Sequence, residues 1–352
     1  MTIGYRLRRK FGNFARKNRR TIKNIMHQLT TQRVEEIVQN LQGKTIAVIG
    51  DLMLDRYFWG SVSRISPEAP VPVIDIEHET FHLGGAANVA HNLRSLGIHP
   101  ILCGIVGNDD EGDTLRNTAQ ASGLNISGIL TDLHRPTTVK TRIMGNNQHI
   151  ARLDKEKRDF INDDTSAAIL TVLNSLQNLD GIIIEDYNKG VITGHLIQLL
   201  GEVSRVRNIP LFVDPKRNFF FDYKHATVFK PNRKEAQEAL GYALKSTADI
   251  IRAGSELLER LEAQNVLLTL GEEGMMLFQD NGDISSVPTK ARHIADVSGA
   301  GDTAIATLAA ALAGGATMTE AAELANIGAG VVCEEPGIVS IQPETLLSAL
   351  NY

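Results

Sequence analysis

The chain has 352 residues, of which 43% are hydrophobic and 22% charged, a composition typical of a globular protein with one large domain or two smaller ones. Its formal net charge of −5 gives no indication of nucleic-acid binding, and two cysteines are too few for a disulfide framework or a zinc site. With no apolar run long enough to predict a transmembrane segment, these features favour a cytoplasmic enzyme.

The N-terminal region is strongly basic. Residues 1–34 carry ten lysines and arginines and no acidic residue, so the remainder carries −5 − 10 = −15. The region lacks the apolar segment of a secretory signal. We therefore expect residues 1–43 to form a basic, peripheral extension followed by a leading helix, in which Val34, Ile37, Val38 and Leu41 repeat at helical spacing. Attraction of the basic segment to anionic lipid is the alternative.

From Lys44 onward, short apolar strands alternate with helical patterns. The strands are predicted at 45–50, 101–106, 181–185, 210–214, 227–229, 265–270 and 275–278, and the helices at 86–96, 111–122, 165–178, 193–207, 233–240, 247–263, 302–314, 318–333 and 343–350. This alternation predicts an α/β fold whose mainly parallel sheet is covered on both faces. Functional side chains are then expected at the carboxyl ends of the strands.

Two segments interrupt this alternation. Residues 56–78 and 136–154 carry shorter patterns of alternating apolar and polar residues, and the second contains the turn residues Gly145, Asn146 and Asn147. Such a turn between two strand-like arms predicts a hairpin. We expect these two segments to form a small sheet apart from the main one.

A turn of small residues precedes the helix predicted near Asp302. Gly299, Ala300 and Gly301 offer backbone N–H groups at a helix N-terminus, where an anion binds well. The carboxylate of Asp302 beside an anion site is explained if it takes a proton from a hydroxyl group while the turn stabilises a transferring phosphoryl group. The alternative is that Asp302 only caps the helix after a flexible turn.

The order of these motifs resembles the ribokinase-like (PfkB) family of sugar kinases over residues 44 to 350. The segment DVSGAGDT at 296–303 is the most specific motif, and the glycine pair at 84–85, the Asn-x-x-Glu pair at 232–235 and the TLGEEG segment at 269–274 follow the same pattern. The resemblance implies a three-layer α/β/α fold with a small β-lid over the sugar. It also implies homodimers formed through that lid and the cofactors ATP, Mg²⁺ and, in some members, K⁺.

The resemblance also implies roles for the residues that match the nucleotide motifs. Asp302 is the expected general base, Glu235 is expected to hold Mg²⁺ through water, and Asn232 of the same motif is an expected cofactor-binding residue. Thr269, Gly271 and Gly274 would line the nucleotide. An ordinary helix start at 232–235 and a plain turn at 271–274 are the structural alternatives.

On the sugar side, carboxylates and small residues are expected to meet hydroxyl groups, while cations would bind a phosphate. The residues assigned to this side are Asp51, Asp55, Gly84, Gly85, Asn88 and Asp186, and the candidate phosphate ligands are Arg64, Arg142, Arg152, Lys189 and Lys216. For Asp186 the alternative is a turn bond to its own backbone. For each cation the alternative is a surface ion pair.

Four further segments, at 48–57, 63–73, 185–190 and 214–216, resemble those family members that phosphorylate D-glycero-β-D-manno-heptose 7-phosphate at its anomeric oxygen, on the way to ADP-heptose and the lipopolysaccharide core. No paired-histidine motif for nucleotidyl transfer occurs, so a stand-alone kinase is expected. A kinase for another sugar and a catalytically silent sugar-binding protein remain the alternatives.

Overall fold

The computed structural model describes residues 23–24, 29–146, 148–289, 296–335 and 337–350. Ten strands form the main sheet: β1 (Lys23–Asn24), β2 (Thr45–Gly50), β5 (His99–Gly107), β6 (Asn125–Asp132), β9 (Gly181–Glu185), β10 (Leu211–Asp214), β11 (Val228–Phe229), β12 (Asn265–Thr269), β13 (Met275–Gln279) and β14 (Ile284–Val287). Four strands form a second sheet: β3 (Leu52–Ile65), β4 (Pro72–Gly85), β7 (Val139–Gly145) and β8 (Gln148–Lys155).

Ten helices are described: α1 (Thr31–Gln39), α2 (Ala86–Ser95), α3 (Asp110–Ala121), α4 (Asp163–Ser175), α5 (Gly194–Arg207), α6 (Arg233–Leu240), α7 (Thr247–Leu261), α8 (Ala300–Ala313), α9 (Met318–Cys333) and α10 (Pro343–Leu350). Within the described residues, each helix is too short or too polar to cross a membrane.

The main sheet is mainly parallel, as predicted. Its order is β1-β14-β13-β12-β11-β10-β9-β2-β5-β6, and only the β12–β13 and β13–β14 pairs are antiparallel. Strands β6 and β14 were not predicted from the sequence, because polar residues interrupt their apolar pattern.

Alternate residues of the central strands enter two separate cores, which produces three layers. In β2, Ile46 and Val48 join the core shared with α1, α2, α8 and α9, whereas Ala47 and Ile49 join the core shared with α4, α5 and α7. Successive side chains of a strand point to opposite faces, so a strand buried on both faces reads as continuously apolar. The three-layer α/β/α expectation is confirmed.

The second sheet corresponds to the two interrupting segments, and we call it the lid. Strand β3 pairs antiparallel with β4 and parallel with β7, and β8 closes the far edge. Every residue of β8 is exposed. Large apolar side chains are also exposed on the lid and its turn, namely Ile65, Val71, Ile76, Ile150 and Leu153. An exposed strand edge with apolar neighbours can pair with another chain.

The leading helix α1 is docked on the domain behind it. Val34 and Ile37 are fully buried in the core under α8 and α9, and Arg33 forms an ion pair with Glu320 at 2.9 Å. The structure therefore does not separate this helix from the rest of the domain at residue 43. Of the basic extension, residues 23–24 form β1 beside β14, and residues 1–22 and 25–28 lie outside the described residues.

Candidate active site

Helix α8 carries Asp302 in its first turn, next to the carboxyl ends of the central strands. The helix begins at Ala300, two residues before the predicted start, and its N-cap is Gly299, whose φ of 80° is left-handed. Glycine adopts that conformation without steric penalty. Asp302 is therefore not the N-cap, and its carboxylate bonds other elements instead of the end of its own helix.

Two side chains orient the Asp302 carboxylate. Asn88 Nδ2 from α2 donates to Oδ2 at 2.8 Å, and the Tyr187 hydroxyl donates to Oδ1 at 2.7 Å. Burial raises the pKa of Asp302 to about 6, although these two hydrogen bonds oppose the rise. A carboxylate with such a pKa is ionised at neutral pH and is still a useful proton acceptor. Asn88 thus contacts the candidate base, although it was assigned to the sugar.

The small-residue turn beside Asp302 approaches two buried charges. A Cβ built on Gly301 would lie 3.6 Å from Lys230 Nζ and 3.7 Å from an Asp214 carboxylate oxygen. Lys230, which lies at the end of β11, forms an ion pair with Asp214 at 2.7 Å, and both side chains are almost fully buried. The N–H groups at the start of α8 and a lysine ammonium therefore lie close together, an arrangement that suits an anion.

The Asn232–Glu235 pair begins helix α6 as a capping box. Asn232 Oδ1 accepts from the Glu235 N–H at 2.9 Å, and Glu235 Oε2 accepts from the Asn232 N–H at 2.8 Å. Glu235 Oε1 also accepts from Lys216 Nζ at 2.5 Å. Because each carboxylate oxygen already has a partner, the remaining lone pairs fit a hydrated Mg²⁺ better than a bare ion.

The nucleotide-side residues lie beside this capping box. Thr269 ends β12 and forms a parallel bridge with Asn232. Gly271 begins a short 3₁₀ turn and Gly274 follows it, with φ of 65° and 85°. A Cβ on Gly274 would lie 2.1 Å from the Val287 carbonyl oxygen, whereas one on Gly271 would meet no atom within 4 Å. Gly271 thus leaves open space beside Asn232 and Thr269.

The lid contributes an acid and a cation on the sugar side. Asp55 on β3 is 3% exposed and forms an ion pair with Arg142 on β7. Gly84 makes this possible, because a Cβ there would lie 2.1 Å from Asp55 Oδ2. Gly85, with φ of 58°, then ends β4 and caps α2.

A lysine that was not predicted from the sequence lies on the same face of the lid. Lys140 pairs in register with Asp55, and its Nζ lies 4.9 Å from the centre of the Tyr187 ring. Burial lowers the pKa of Lys140, and Asp55 opposes the decrease. Lys140 and Arg142 stand two positions apart on a strand, which places both on one face. That spacing is the signal by which the lysine could have been found.

The other candidate cations are distributed unevenly. Lys189 is mostly buried and ion-paired with Glu156. Arg152 lies opposite Arg142 on β8 but is half-exposed and bonded to Asp154. Arg64 is exposed near the far end of β3. It stands nine residues, or roughly 30 Å of strand, beyond Asp55, so we remove it from the pocket of this subunit.

Two predicted sugar ligands are occupied by protein groups. Asp51 accepts hydrogen bonds from the backbone N–H groups of Tyr187, Lys189 and Val191 at 2.7–3.0 Å. Asp186 accepts from the Asn188 N–H at 2.7 Å and from the Tyr223 hydroxyl at 2.8 Å. We remove both from the candidate sugar ligands, because these bonds hold the 186–191 loop in place.

Lys216 is also reassigned by its surroundings. Besides its bond to Glu235, its Nζ lies 5.0 Å from the centre of the Tyr187 ring. Because Tyr187 contacts Asp302, Lys216 lies between the candidate magnesium ligand and the candidate base. This position suits the phosphoryl group in transfer better than the phosphate of the sugar.

Comparison with known proteins relates the chain to one family. Residues 44–345 match the family described as pfkB family carbohydrate kinase. The chain is 41% identical over 320 residues to the bifunctional protein HldE of Geobacter sulfurreducens, covering 91% of this chain but 65% of that protein. The chain thus spans less than two thirds of the length of that relative.

Solved structures share the fold at low sequence identity. Phosphofructokinase-2 from Escherichia coli in complex with potassium gives a TM-score of 0.72 at 16% identity, covering 88% of this chain and 98% of that one. Arabidopsis thaliana ribokinase complexed with ribose and ATP gives 0.70 at 16% identity, covering 88% and 99%.

Proposed function

The chain belongs to the pfkB family of carbohydrate kinases, and we propose that it transfers the γ-phosphoryl group of ATP to O1 of D-glycero-β-D-manno-heptose 7-phosphate, giving the 1,7-bisphosphate. The chain is a sugar kinase; the heptose substrate is the proposed part. The observation that carries the proposal is the buried carboxylate of Asp302, which lies between an anion-binding helix start and the cations of the lid.

Asp302 accepts the proton of the anomeric hydroxyl as the new P–O bond forms. Its two hydrogen bonds hold the carboxylate in one orientation and leave further lone pairs for the substrate. The N–H groups of Gly299 and Gly301 and the ammonium group of Lys230 stabilise charge on the transferring phosphoryl oxygens, whereas the Ala300 N–H donates to the Val297 carbonyl oxygen at 3.4 Å and must turn from it to join them. The anomeric hydroxyl therefore attacks where negative charge is already compensated.

Glu235 and Lys216 serve the phosphate chain of ATP in this proposal. Glu235 would hold Mg²⁺ through water, and a bound ion would supply neutralisation of the charge on the nucleotide phosphates. Lys216, which is bonded to Glu235, would contact the γ-phosphoryl group. Gly271, Asn232 and Thr269 leave room for the nucleotide at the end of β12.

In this proposal the lid, together with Lys189 of the 186–191 loop, binds the 7-phosphate at the other end of the sugar. Lys140, Arg142 and Lys189 place three cations near one another, since Arg142 and Lys189 both lower the pKa of Lys140. The hydroxyl of Tyr57, under the Arg142 guanidinium, is buried and has no hydrogen-bond partner among the described residues. Asp55 and Glu156 are paired with two of these cations, so one net positive charge and an unsatisfied hydroxyl remain, which suit a phosphate better than an uncharged sugar.

We further propose a homodimer formed through the lid. Its exposed strand β8 and the apolar side chains of Ile76 and Leu153 would be covered by a second copy of the chain. Sedimentation should then show a dimer, and Leu153→Glu should shift it towards the monomer. Activation by K⁺ and action in the cytoplasm remain expectations of the same proposal.

The deciding experiment is a coupled assay of ADP formation with Mg²⁺ over a panel of acceptors. The panel contains the heptose 7-phosphate as separate anomers, fructose 6-phosphate, fructose 1-phosphate, ribose and adenosine, with Asp302→Asn as the blank for contaminating ATPase. We expect turnover with the heptose phosphate alone, and stimulation when K⁺ replaces Na⁺. Turnover with another acceptor would keep the kinase reaction and refute the substrate, and silence with every acceptor would favour a sugar-binding protein.

A further inference from the structure

Three buried carboxylates meet below helix α8, and we call them the carboxylate triad (Glu185, Asp214 and Asp302). Each offers one oxygen that lies within 4.8 Å of the oxygens of the other two. Glu185 and Asp214 end the neighbouring parallel strands β9 and β10 and pair in register, so their side chains leave the same face of the sheet. Asp302 approaches that face from the first turn of α8.

Glu185 is the member of the triad that the proposed kinase reaction leaves unexplained. It is fully buried, and neither of its carboxylate oxygens has a hydrogen-bond partner among the described residues. By contrast, Asp214 bonds Lys230, and Asp302 bonds Asn88 and Tyr187. A buried carboxylate without a partner is strongly unfavourable unless it is neutralised.

The charges around the triad leave a negative surplus. With Glu185 ionised, the three carboxylates and the nearby Glu235 carry four negative charges, while Lys216 and Lys230 carry two positive ones. The surplus of two charges equals the charge of one divalent cation. Burial, together with Asp214 and Asp302, raises the pKa of Glu185, as expected where like charges face each other.

We propose that Glu185, Asp214 and Asp302 form a binding site for a hard divalent cation such as Mg²⁺ or Mn²⁺, separate from Glu235. Such ions prefer carboxylate oxygens, and oxygens bound to one Mg²⁺ at about 2.1 Å are at most about 4.2 Å apart. Only one pair of three octahedral ligands can lie opposite each other, and the other pairs lie about 3.0 Å apart, so triad oxygens within 4.8 Å of one another would close on an ion through movements of up to about 1.8 Å.

Lys216 separates this site from the cation expected with the nucleotide. Its ammonium group is bonded to Glu235, and Asp214 and Glu185 also act on its pKa. The new site requires no nucleotide, because all three ligands come from the protein. If Asp302 is the base of the proposed kinase reaction, an ion in the triad shares that carboxylate and changes its ability to accept a proton.

The test is a Mn²⁺ titration of the full chain without nucleotide, followed by the electron paramagnetic resonance signal of the free ion. We expect the wild type to bind one ion that Mg²⁺ displaces. Glu185→Gln should weaken binding by at least about tenfold, since even the loss of a group that only supports a ligand costs that much. Glu235→Gln should retain the ion, and so serves as the matched control at the nucleotide side.

Thermal unfolding without metal checks that each variant is folded, and Glu185→Gln should be no less stable than the wild type because it removes carboxylate repulsion. If Glu185→Gln fails to fold, anomalous scattering from Mn²⁺-soaked wild-type crystals replaces it, with a peak expected between Glu185 and Asp214. Absence of bound Mn²⁺, equal binding by Glu185→Gln, or loss of binding only in Glu235→Gln would overturn the proposal. None of these readings depends on kinase activity, so failure of the site and failure of the proposed reaction are distinguishable.

Discussion

Replacement of Tyr187 by phenylalanine tests the assignment of Asp302 as the base. The hydroxyl of Tyr187 donates to Asp302 at 2.7 Å and stabilises the ionised carboxylate. Phenylalanine keeps the ring that Lys140 and Lys216 face and removes only this bond. The pKa of Asp302 should therefore rise from about 6.

The size of the rise follows from the strength of the lost bond. A hydrogen bond to a charged group contributes about 1.5–3 kcal/mol, and one pKa unit corresponds to about 1.4 kcal/mol. Because Asn88 still donates to the carboxylate and water partly replaces the hydroxyl, we take the low end, about one unit. The variant should then lose about fivefold in kcat/KM at pH 6 and very little at pH 8.

The assay is kcat/KM against pH for the wild type, Tyr187→Phe and a matched control, Tyr223→Phe. Tyr223 also donates to a buried carboxylate, that of Asp186, at 2.8 Å. A sugar phosphate titrates in the same range, but its contribution is identical for all three proteins. An acid limb that moves equally in both variants, or in neither, would refute the assignment of that limb to Asp302.

Four further substitutions separate the remaining roles. Asp302→Asn should lower kcat by about two orders of magnitude or more with little loss of stability, since the amide can still accept from Asn88; near-normal turnover would contradict general-base catalysis. Lys140→Ala should raise KM for the sugar phosphate about tenfold and leave KM for ATP unchanged, whereas Lys216→Ala should mainly lower kcat. If Lys140→Ala mainly lowered kcat and Lys216→Ala mainly raised KM for the sugar phosphate, the two roles would be exchanged. Asp51→Ala should lower the free energy of unfolding, measured by urea titration, by about 3 kcal/mol or more, because three backbone N–H groups lose their acceptor. A stable variant with a raised KM for the sugar would instead restore Asp51 as a sugar ligand.

The layers of the fold were predictable because strands buried on both faces are apolar without interruption. β2, β9 and β10 are buried at nearly every position, so their runs of Ile, Val and Leu stand out from the amphipathic helices between them. β6 and β14 lie towards the sheet edges, and their polar residues, mostly exposed in β6 but buried or half-buried in β14, removed that signal. The start of α8 was predicted within two residues because the left-handed backbone of its N-cap favours a glycine, Gly299, which marks the helix start in the sequence.

The site was less predictable, because strand position identifies an edge of the sheet but not the partner of each side chain. Glu185 and Asp186 are consecutive at the end of β9 and therefore leave opposite faces. Asp186 meets the buried hydroxyl of Tyr223, whereas Glu185 meets Asp214 and Asp302. Sequence reasoning chose Asp186 as the ligand, but the unsatisfied side chain is Glu185. Hydrogen bonds formed within the protein, rather than the type of residue, decide which acids at this edge remain available to a ligand.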